Sequence, residues 1–129
     1  MNSSQIEKNV IELVKNIDKD NFIYDLLMAY GISKTSITRL KKGDFNLAKN
    51  KNEILYKKKV WFIEVETNKL LSTIDALTNV DEITHNPRFV IVTDYKTLLA
   101  KDIRIGLTLD IPIKELHKKY DFFLPWAGQ

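Results

Sequence analysis

VWFIEVE (residues 60–66) and FVIVT (residues 89–93) decide the fold class of this chain. Both runs are short and rich in β-branched and aromatic residues, so they predict strands, the second of them buried. Between them lies a segment that Thr67 or Asn68 can cap as a helix. Its apolar residues recur on one helical face: Leu70, Leu71, Ile74 and Leu77. A strand, helix, strand unit favours parallel strands joined by a right-handed connection.

The chain after this unit predicts a hairpin and a short helix. Residues 97–100 and 107–111 flank a polar stretch that holds Gly106, which is typical of two strands joined by a turn. Pro112 then allows a helix through Tyr120 with Leu116 pointing inward. We therefore expect a mixed sheet of about four strands, with helices covering at least one face.

The N-terminal third predicts helices only. The first helix has capping-box spacing at Ser4 and Glu7, and its apolar residues fall on one face: Ile6, Val10, Leu13, Val14 and Ile17. A second helix can begin at an Asp20 cap and end where Gly31 follows. A third can run from a Ser33 cap through Lys42 and end at Gly43. The fold class expected is α/β, a helical N-terminal third followed by the sheet.

Length and composition limit what this chain can be. With 129 residues and 44% hydrophobic content it has the size of one domain, residues 1–129. No apolar run approaches the roughly 20 residues of a membrane span, and the first residues do not form a secretory signal. The absence of cysteine excludes disulfides and thiol catalysis and is compatible with a cytoplasmic protein. His85 and His117 are isolated, so structural or solvated roles are expected for both.

Positive charge is concentrated in one block. Residues 34–59 contain nine basic residues and only two acidic ones, Asp44 and Glu53. This is a net charge of +7, so the rest of the chain, whose total is +3, carries −4. Such a block is the expected footprint of a surface that binds a polyanion. The alternative is a lysine-rich face with no function beyond solvation.

Residues 22–43 (FIYDLLMAYGISKTSITRLKKG) have the pattern of a helix-turn-helix. Side chains near the start of its second helix can reach bases or phosphates, and basic ones further along can hold the DNA backbone. Similar strings also form plain helical hairpins. With the later lysines of the block, the candidate DNA-binding residues are Ser33, Lys34, Thr35, Arg39, Lys41, Lys42, Lys57, Lys58 and Lys59.

A second candidate site is acidic. Glu64 and Glu66 stand at i and i+2 of the predicted strand, so they share one face. An upstream acid, Glu53 or less favourably Asp44, can join them to bind Mg²⁺ for phosphodiester cleavage. The catalytic candidates are therefore Glu53, Glu64 and Glu66, with Glu53 and Glu64 as metal ligands. The alternative is a strand whose outer face carries two glutamates.

Methyl-transfer motifs are absent from this chain. Asn86, Pro87, Arg88 and Phe89 are similar to the (D/N)PP(Y/F) motif of amino-methyltransferases, but an arginine replaces the second proline. No glycine-rich loop follows the first strand, so the residues carry no S-adenosylmethionine fingerprint. There is also no paired nucleophile and base for acyl chemistry.

The chain ends in large apolar residues, whereas natural ends are usually polar. We expect a cut at a domain boundary, with a following domain contacted through Phe122, Phe123, Leu124 and Trp126. The alternative is that these side chains complete the core of this domain.

Four segments together resemble one family: residues 22–50, 54–66 (ILYKKKVWFIEVE), 87–102 (PRFVIVTDYKTLLAKD) and 120–129 (YDFFLPWAGQ). They resemble the N-terminal region of large type II restriction-modification proteins, in the manner of type IIG and IIL enzymes. That resemblance implies a nuclease-like N-terminal domain joined to a class I, S-adenosylmethionine-dependent adenine-N6 DNA methyltransferase. The partners it implies are DNA and the downstream methyltransferase domain.

The N-terminal domain of active family members looks like a PD-(D/E)XK nuclease. By this resemblance Glu64 falls on the (D/E), Glu66 on the lysine and Glu53 near the upstream aspartate. A carboxylate at the lysine position has the opposite charge to the group that orients the attacking water. The intact protein is then either a restriction-methylation enzyme with a Mg²⁺-dependent nuclease or a methyltransferase whose nuclease-like domain only positions DNA. A helix-turn-helix regulator with a ligand-binding α/β half is the third reading.

Overall fold

The computed structural model describes residues 1–128, which form four α-helices, five strands and a long C-terminal 3₁₀ segment. The helices are α1 (Ser3–Lys15), α2 (Phe22–Ala29), α3 (Lys34–Lys42) and α4 (Leu70–Thr78), the last preceded by a 3₁₀ turn, Thr67–Lys69. The strands are β1 (Glu53–Tyr56), β2 (Val60–Glu64), β3 (Phe89–Thr93), β4 (Thr97–Asp102) and β5 (Thr108–Pro112). The C-terminal segment is Ile113–Ala127, with a kink at Lys119. The predicted α/β class with a helical beginning is confirmed.

All five strands form one mixed sheet in the order β1-β2-β3-β4-β5. β2 and β3 are parallel and the other neighbours are antiparallel, which confirms the crossover unit and the β4–β5 hairpin. The expected count of about four strands was one too low, because β1 has only four residues and gives almost no periodic signal. β2 also ends at Glu64, two residues earlier than expected.

The glycine stops predicted after α2 and α3 are confirmed, because Gly31 and Gly43 both have a left-handed φ, but only α3 has the predicted N-cap. Ser33 Oγ accepts a hydrogen bond from the Ser36 N–H, and Gly43 adopts the left-handed φ of 95° after the last turn. α1 is capped by Asn2, not Ser4, because the helix begins one residue before that serine. α2 and α4 begin without a side-chain cap, so the roles expected for Asp20, Thr67 and Asn68 are wrong.

Helices cover both faces of the sheet. On one face, α1, α2, α3 and the C-terminal segment enclose the larger core, in which Phe22, Leu26 and Phe89 are buried. On the other face, α4 packs Leu70 against Val90, Val92 and Leu99. No helix within residues 1–128 combines the length and apolar character that crossing a membrane requires.

The C-terminal aromatic cluster belongs to this core. Phe123 is 0% exposed and Trp126 is 6% exposed. The centroids of these two stacked rings are 4.7 Å apart, and the ring centroid of Phe89 lies 4.9 Å from that of Phe123. The expected docking of a following domain through these two side chains is therefore wrong, because the 3₁₀ segment folds back and buries them. Phe122 and Leu124 are half-buried against the same core.

Candidate nucleic-acid interface and carboxylate cleft

The outer face of α3 is a basic surface. The helix buries Ile37 and Leu40 in the core and leaves Lys34, Thr35, Arg39, Lys41 and Lys42 exposed. This division follows from the 3.6-residue period, which puts the two apolar side chains on one side. The Ser33 hydroxyl is used within the chain, because it caps the helix and lies 3.0 Å from Ser36 Oγ. All of the α3 candidates are exposed, and Ser33 differs from the others in that its hydroxyl caps the helix.

A continuous series of ring contacts joins α3 to the turn between β1 and β2. The Arg39 guanidinium lies 5.3 Å from the centre of the Phe45 ring, and Phe45 stacks on Tyr56 at 5.9 Å. Tyr56 immediately precedes Lys57. These contacts connect the two elements that carry most of the basic block, and we call the basic residues of both elements the basic strip. Its members are Lys34, Arg39, Lys41, Lys42, Lys57, Lys58 and Lys59.

The backbone of the β1–β2 turn is held in place by hydrogen bonds. Lys58 has a left-handed φ of 66°, and its N–H donates to the His85 carbonyl at 3.2 Å. The Lys59 carbonyl accepts from Trp126 Nε1 at 2.9 Å and from the Phe89 N–H at 3.3 Å. The lysine side chains of this turn therefore project from an ordered backbone, with Lys57 and Lys58 exposed and Lys59 half-buried.

A cleft of about 210 Å³ lies where β2 and β3 end. Its wall includes Lys19, Asp20, Tyr24, Lys51, Glu64 and Tyr95. The Tyr95 hydroxyl lies within hydrogen-bond distance of a Glu64 carboxylate oxygen and 3.0 Å from the Lys19 carbonyl. Burial, together with the hydrogen bond and charge of Glu64, raises the pKa of Tyr95. Tyr95 is therefore a neutral hydroxyl partner of Glu64 at any ordinary pH.

Glu53 also lines this cleft, but its carboxylate is bonded on the other face of the sheet from Glu64. Glu53 pairs with Ile63 across the β1–β2 ladder, so Glu53 and Glu64 have opposite facing directions. Glu53 accepts hydrogen bonds from Asn50 Nδ2 at 2.6 Å and from Trp61 Nε1 at 2.9 Å. Ile54 and Tyr56 are the β1 residues on the face of Glu64, and Ile54, which pairs with Phe62, is the nearer of the two. A hydrocarbon side chain thus occupies the position from which a second ligand would approach.

The remaining acids are also separated. Glu66 lies beyond the end of β2, is exposed and does not line the cleft. Asp44 is exposed and lies 3.7 Å from Arg39. Across residues 1–128, no three His, Asp or Glu side chains come together in a way that could hold a metal ion. The side chains around Glu64 therefore do not fit a multi-carboxylate Mg²⁺ site.

S-Adenosylmethionine does not fit these residues either. The connection from β2 to α4 contains no glycine, so its backbone cannot make the close approach of a dinucleotide-type loop. Arg88 is held in an ion pair with Asp102 at 2.8 Å. The string from Asn86 to Phe89 therefore has a structural arginine where the amine-gripping motif has its second proline.

Sequence reasoning missed Tyr95 and Asp20 as members of the cleft. A signal for Tyr95 existed, because it follows β3 by two residues and the ends of parallel strands meet at one edge of a sheet. Asp94, beside it, is a turn residue: Oδ1 accepts from the Lys96 and Thr97 N–H groups, and Oδ2 accepts from Thr67 Oγ1 at 2.6 Å. Asp20 had no signal, since it enters the cleft from the loop before α2.

Comparison with known proteins identifies relatives over the whole chain. The family model described as "MmeI, N-terminal domain" matches residues 1–129. A protein of Bacillus subtilis (strain 168) named DNA methyltransferase A is 41% identical over 124 residues. The matched region is 95% of this chain and 14% of that relative, so the chain spans about a seventh of its length. No solved structure matches the chain.

Proposed function

This chain belongs to the MmeI N-terminal domain family of type II restriction-modification proteins, and we propose that it binds and positions DNA for a methyltransferase. In this proposal the adenine-N6 methyltransferase and its S-adenosylmethionine site lie elsewhere in a longer polypeptide. The chain binds the duplex backbone through the basic strip and does not cleave it.

The observation that carries the proposal is the pair of ring contacts that connects the two halves of the basic strip. Ring contacts from Arg39 through Phe45 to Tyr56 join α3 to the lysine turn, and Asp44 is the acid that lies beside it. Both side chains of the Arg39–Asp44 pair are exposed, and their charged atoms are 3.7 Å apart. The pair therefore neutralises little of the charge of the strip. Duplex DNA carries a phosphate charge about every 1.7 Å of its axis, which suits a row of exposed cations.

The cleft around Glu64 supports a non-cleaving role. Phosphodiester cleavage of the PD-(D/E)XK kind needs at least two carboxylates around a metal and a cation beside the attacking water. Here Ile54 faces the cleft from β1, Tyr95 holds Glu64, and Glu66 replaces the lysine. The two replacements remove a ligand and reverse a charge, and the hydrogen bond from Tyr95 occupies the remaining carboxylate.

A Mg²⁺-dependent endonuclease is the second candidate, and one observation favours it. Asp20, Glu53 and Glu64 all line the cleft, together with Lys19 and Lys51. Incubation of duplex DNA with the protein and Mg²⁺, beside a Glu64→Ala variant, separates the candidates. Cleavage that the variant loses would establish the nuclease. The helix-turn-helix regulator receives no support from the family match.

Duplex binding tests the leading proposal. Lys34→Glu with Lys42→Glu reverses two exposed strip charges on α3 without changing the β1–β2 turn. Lys8→Glu with Lys114→Glu is the matched control, because both residues are exposed, lie outside the strip and change the net charge equally. By fluorescence anisotropy we expect the strip variant to weaken binding at least about tenfold and the control to change it less than about threefold. Equal effects of the two variants would contradict the proposal.

A further inference from the structure

Besides the basic strip, the chain has a concave basic surface at the end of the sheet opposite Glu64. It is a cleft of about 560 Å³ at the point where β2 and β3 begin. Its cations are Lys58, Lys59, Arg88 and Arg104, and we call it the basic cleft. Because β2 has five residues, the two ends of this strand are roughly 16 Å apart. The basic cleft is thus separate from the cleft around Glu64.

One buried carboxylate organises two of these cations. Asp102 is 2% exposed and accepts hydrogen bonds from Arg88 Nε at 2.8 Å and Arg88 Nη2 at 2.9 Å. Its Oδ1 also accepts from the Arg104 N–H at 3.0 Å. The guanidinium of Arg88 is therefore fixed by two of its nitrogens, and Nη1 remains to meet a ligand. The same carboxylate fixes the backbone of the loop that carries Arg104.

The loops that form the cleft hold an unusual backbone. Four non-glycine residues within residues 1–128 have positive φ, and three of them are in this region: Lys58 at 66°, His85 at 67° and Asn86 at 54°. Lys58 and Asn86 line the cleft, and the Lys58 N–H donates to His85. Such conformations persist only where surrounding contacts maintain them. The cations are therefore presented by a fixed frame.

The charge of the cleft is unbalanced. The acid in contact with its cations is Asp102, which lies behind Arg88, so the group retains a net charge of +3. Other parts of its wall are apolar, among them Pro87, Ile103 and Trp126. A cation beside apolar surface attracts an anion more strongly than one surrounded by water. These features suit a phosphate group, whose oxygens accept several charge-assisted hydrogen bonds.

We propose that the basic cleft is a phosphate-binding site, and that it takes a backbone phosphate of the DNA bound along the basic strip. The source of the phosphate rests on the proposed function; the ability to bind phosphate does not. Lys58 and Lys59 belong to both surfaces, so a duplex bound at the lysine turn of the strip lies beside the cleft. Arg88 and Arg104 extend the interface to residues far outside the sequence block.

The two tryptophans provide an internal test of phosphate binding. Trp126 lines the cleft and its Nε1–H donates to the Lys59 carbonyl, whereas the Trp61 Nε1–H donates to Glu53. The two indole N–H signals can be followed by NMR while inorganic phosphate is added, with sodium chloride at equal ionic strength as control. We expect a saturable shift of the Trp126 signal with phosphate and a much smaller shift of the Trp61 signal. No phosphate-specific shift of Trp126 would overturn the proposal.

The test variant combines Lys58→Gly with Arg104→Ser. Both side chains are exposed, and glycine suits the left-handed backbone at position 58, so the fold should be retained. Arg88 is left intact because its removal would leave the Asp102 carboxylate buried without its partner. We expect the variant to weaken phosphate binding at least about tenfold, while the Trp61 signal verifies folding. Unchanged phosphate affinity would overturn the site.

A measurement of duplex binding by the same variant identifies the source of the phosphate. We expect the Lys58→Gly, Arg104→Ser variant also to weaken binding of a 12-base-pair duplex at least about threefold by anisotropy. A duplex affinity that stays unchanged, while phosphate binding is lost, would overturn the backbone assignment and leave a site for free phosphate. If the unmodified chain shows the Trp126 shift but binds no duplex, the proposed function fails and the phosphate site itself stands.

Discussion

Glu53 and Glu64 lie on neighbouring strands but on opposite faces of the sheet. The first bonds to Trp61 and Asn50, and the second to Tyr95. The Glu53 carboxylate therefore points away from the face that Glu64 occupies. The separation follows from the register of the β1–β2 ladder, which places Ile54, and not Glu53, on the face of the sheet that Glu64 occupies.

The first prediction concerns this register. Mg²⁺ should leave the Tm of the unmodified chain unchanged, whereas the Ile54→Asp variant should gain a Mg²⁺-dependent rise in Tm. The new carboxylate would share a face with Glu64, and Mg²⁺ binds preferentially through carboxylate oxygens. Thermal unfolding with and without Mg²⁺ measures both, and Ile54→Asn serves as the uncharged control. A rise in the unmodified chain would contradict this account, because it would show a metal site that needs no carboxylate at position 54.

The second prediction concerns Asp102 and pH. Burial alone would raise its pKa, but hydrogen bonds and charge from Arg88, with backbone N–H groups, hold the pKa of Asp102 below its ordinary value. A depressed folded-state pKa contributes stability above the unfolded value of about 3.9 and loses it as the pH falls through the folded value. Asp102→Asn should therefore destabilise the chain by about 3 kcal/mol at neutral pH.

Urea unfolding over a pH series measures this difference. The difference in unfolding free energy should be constant above about pH 5. It should shrink as the pH falls from about 4 through the lower folded-state pKa of Asp102, because the unfolded carboxylate takes up its proton first. A difference that grows on acidification would refute the assigned role of Asp102.

The third prediction separates helix capping from DNA contact at Ser33. Ser33→Ala removes the acceptor of the Ser36 N–H and should cost about 1 kcal/mol of stability. Ser33→Asn supplies another capping oxygen and should cost much less. Both variants should bind duplex within about twofold of the unmodified chain once folded, measured by anisotropy. A large loss of affinity in a stably folded Ser33 variant would place the hydroxyl at the DNA instead.

The fourth prediction concerns the C-terminal aromatic cluster. Phe123→Ala should destabilise the chain by about 3–5 kcal/mol, because a fully buried ring would leave a cavity. Leu71→Ala is the comparison, since Leu71 is 68% exposed on α4 and should change stability by less than about 0.5 kcal/mol. Chemical denaturation measures both. Similar small effects would mean that Phe123 is not part of this core.

Features with a local cause were predictable from the sequence. The Ser33 cap, the Gly43 stop and the β2–α4–β3 crossover depend on residues a few positions apart, and the structure contains all three. Strand β1 was missed because four residues between polar segments carry little periodic pattern. The aromatic C-terminus was misread because burial there depends on how the 3₁₀ segment folds back, which its composition does not encode.

The candidate sites show the same limit. The basic block was visible in the sequence as a run of charge. The contacts from Arg39 through Phe45 to Tyr56 that connect its two halves arise from tertiary packing. The faces of Glu53 and Glu64 depend on strand register, and a shift of one residue reverses them. Arg88 and Asp102 are 14 positions apart and meet only across the β3–β4 pair.

The salt dependence of duplex binding tests the central claim most directly. If about four cations of the basic strip contact phosphates, the slope of log affinity against log salt is roughly −4, about a hundredfold loss between 50 and 200 mM. The Lys57→Glu, Lys58→Glu, Lys59→Glu variant should abolish this binding. An affinity that neither salt nor charge reversal changes would contradict the account of this chain as a DNA-handling domain.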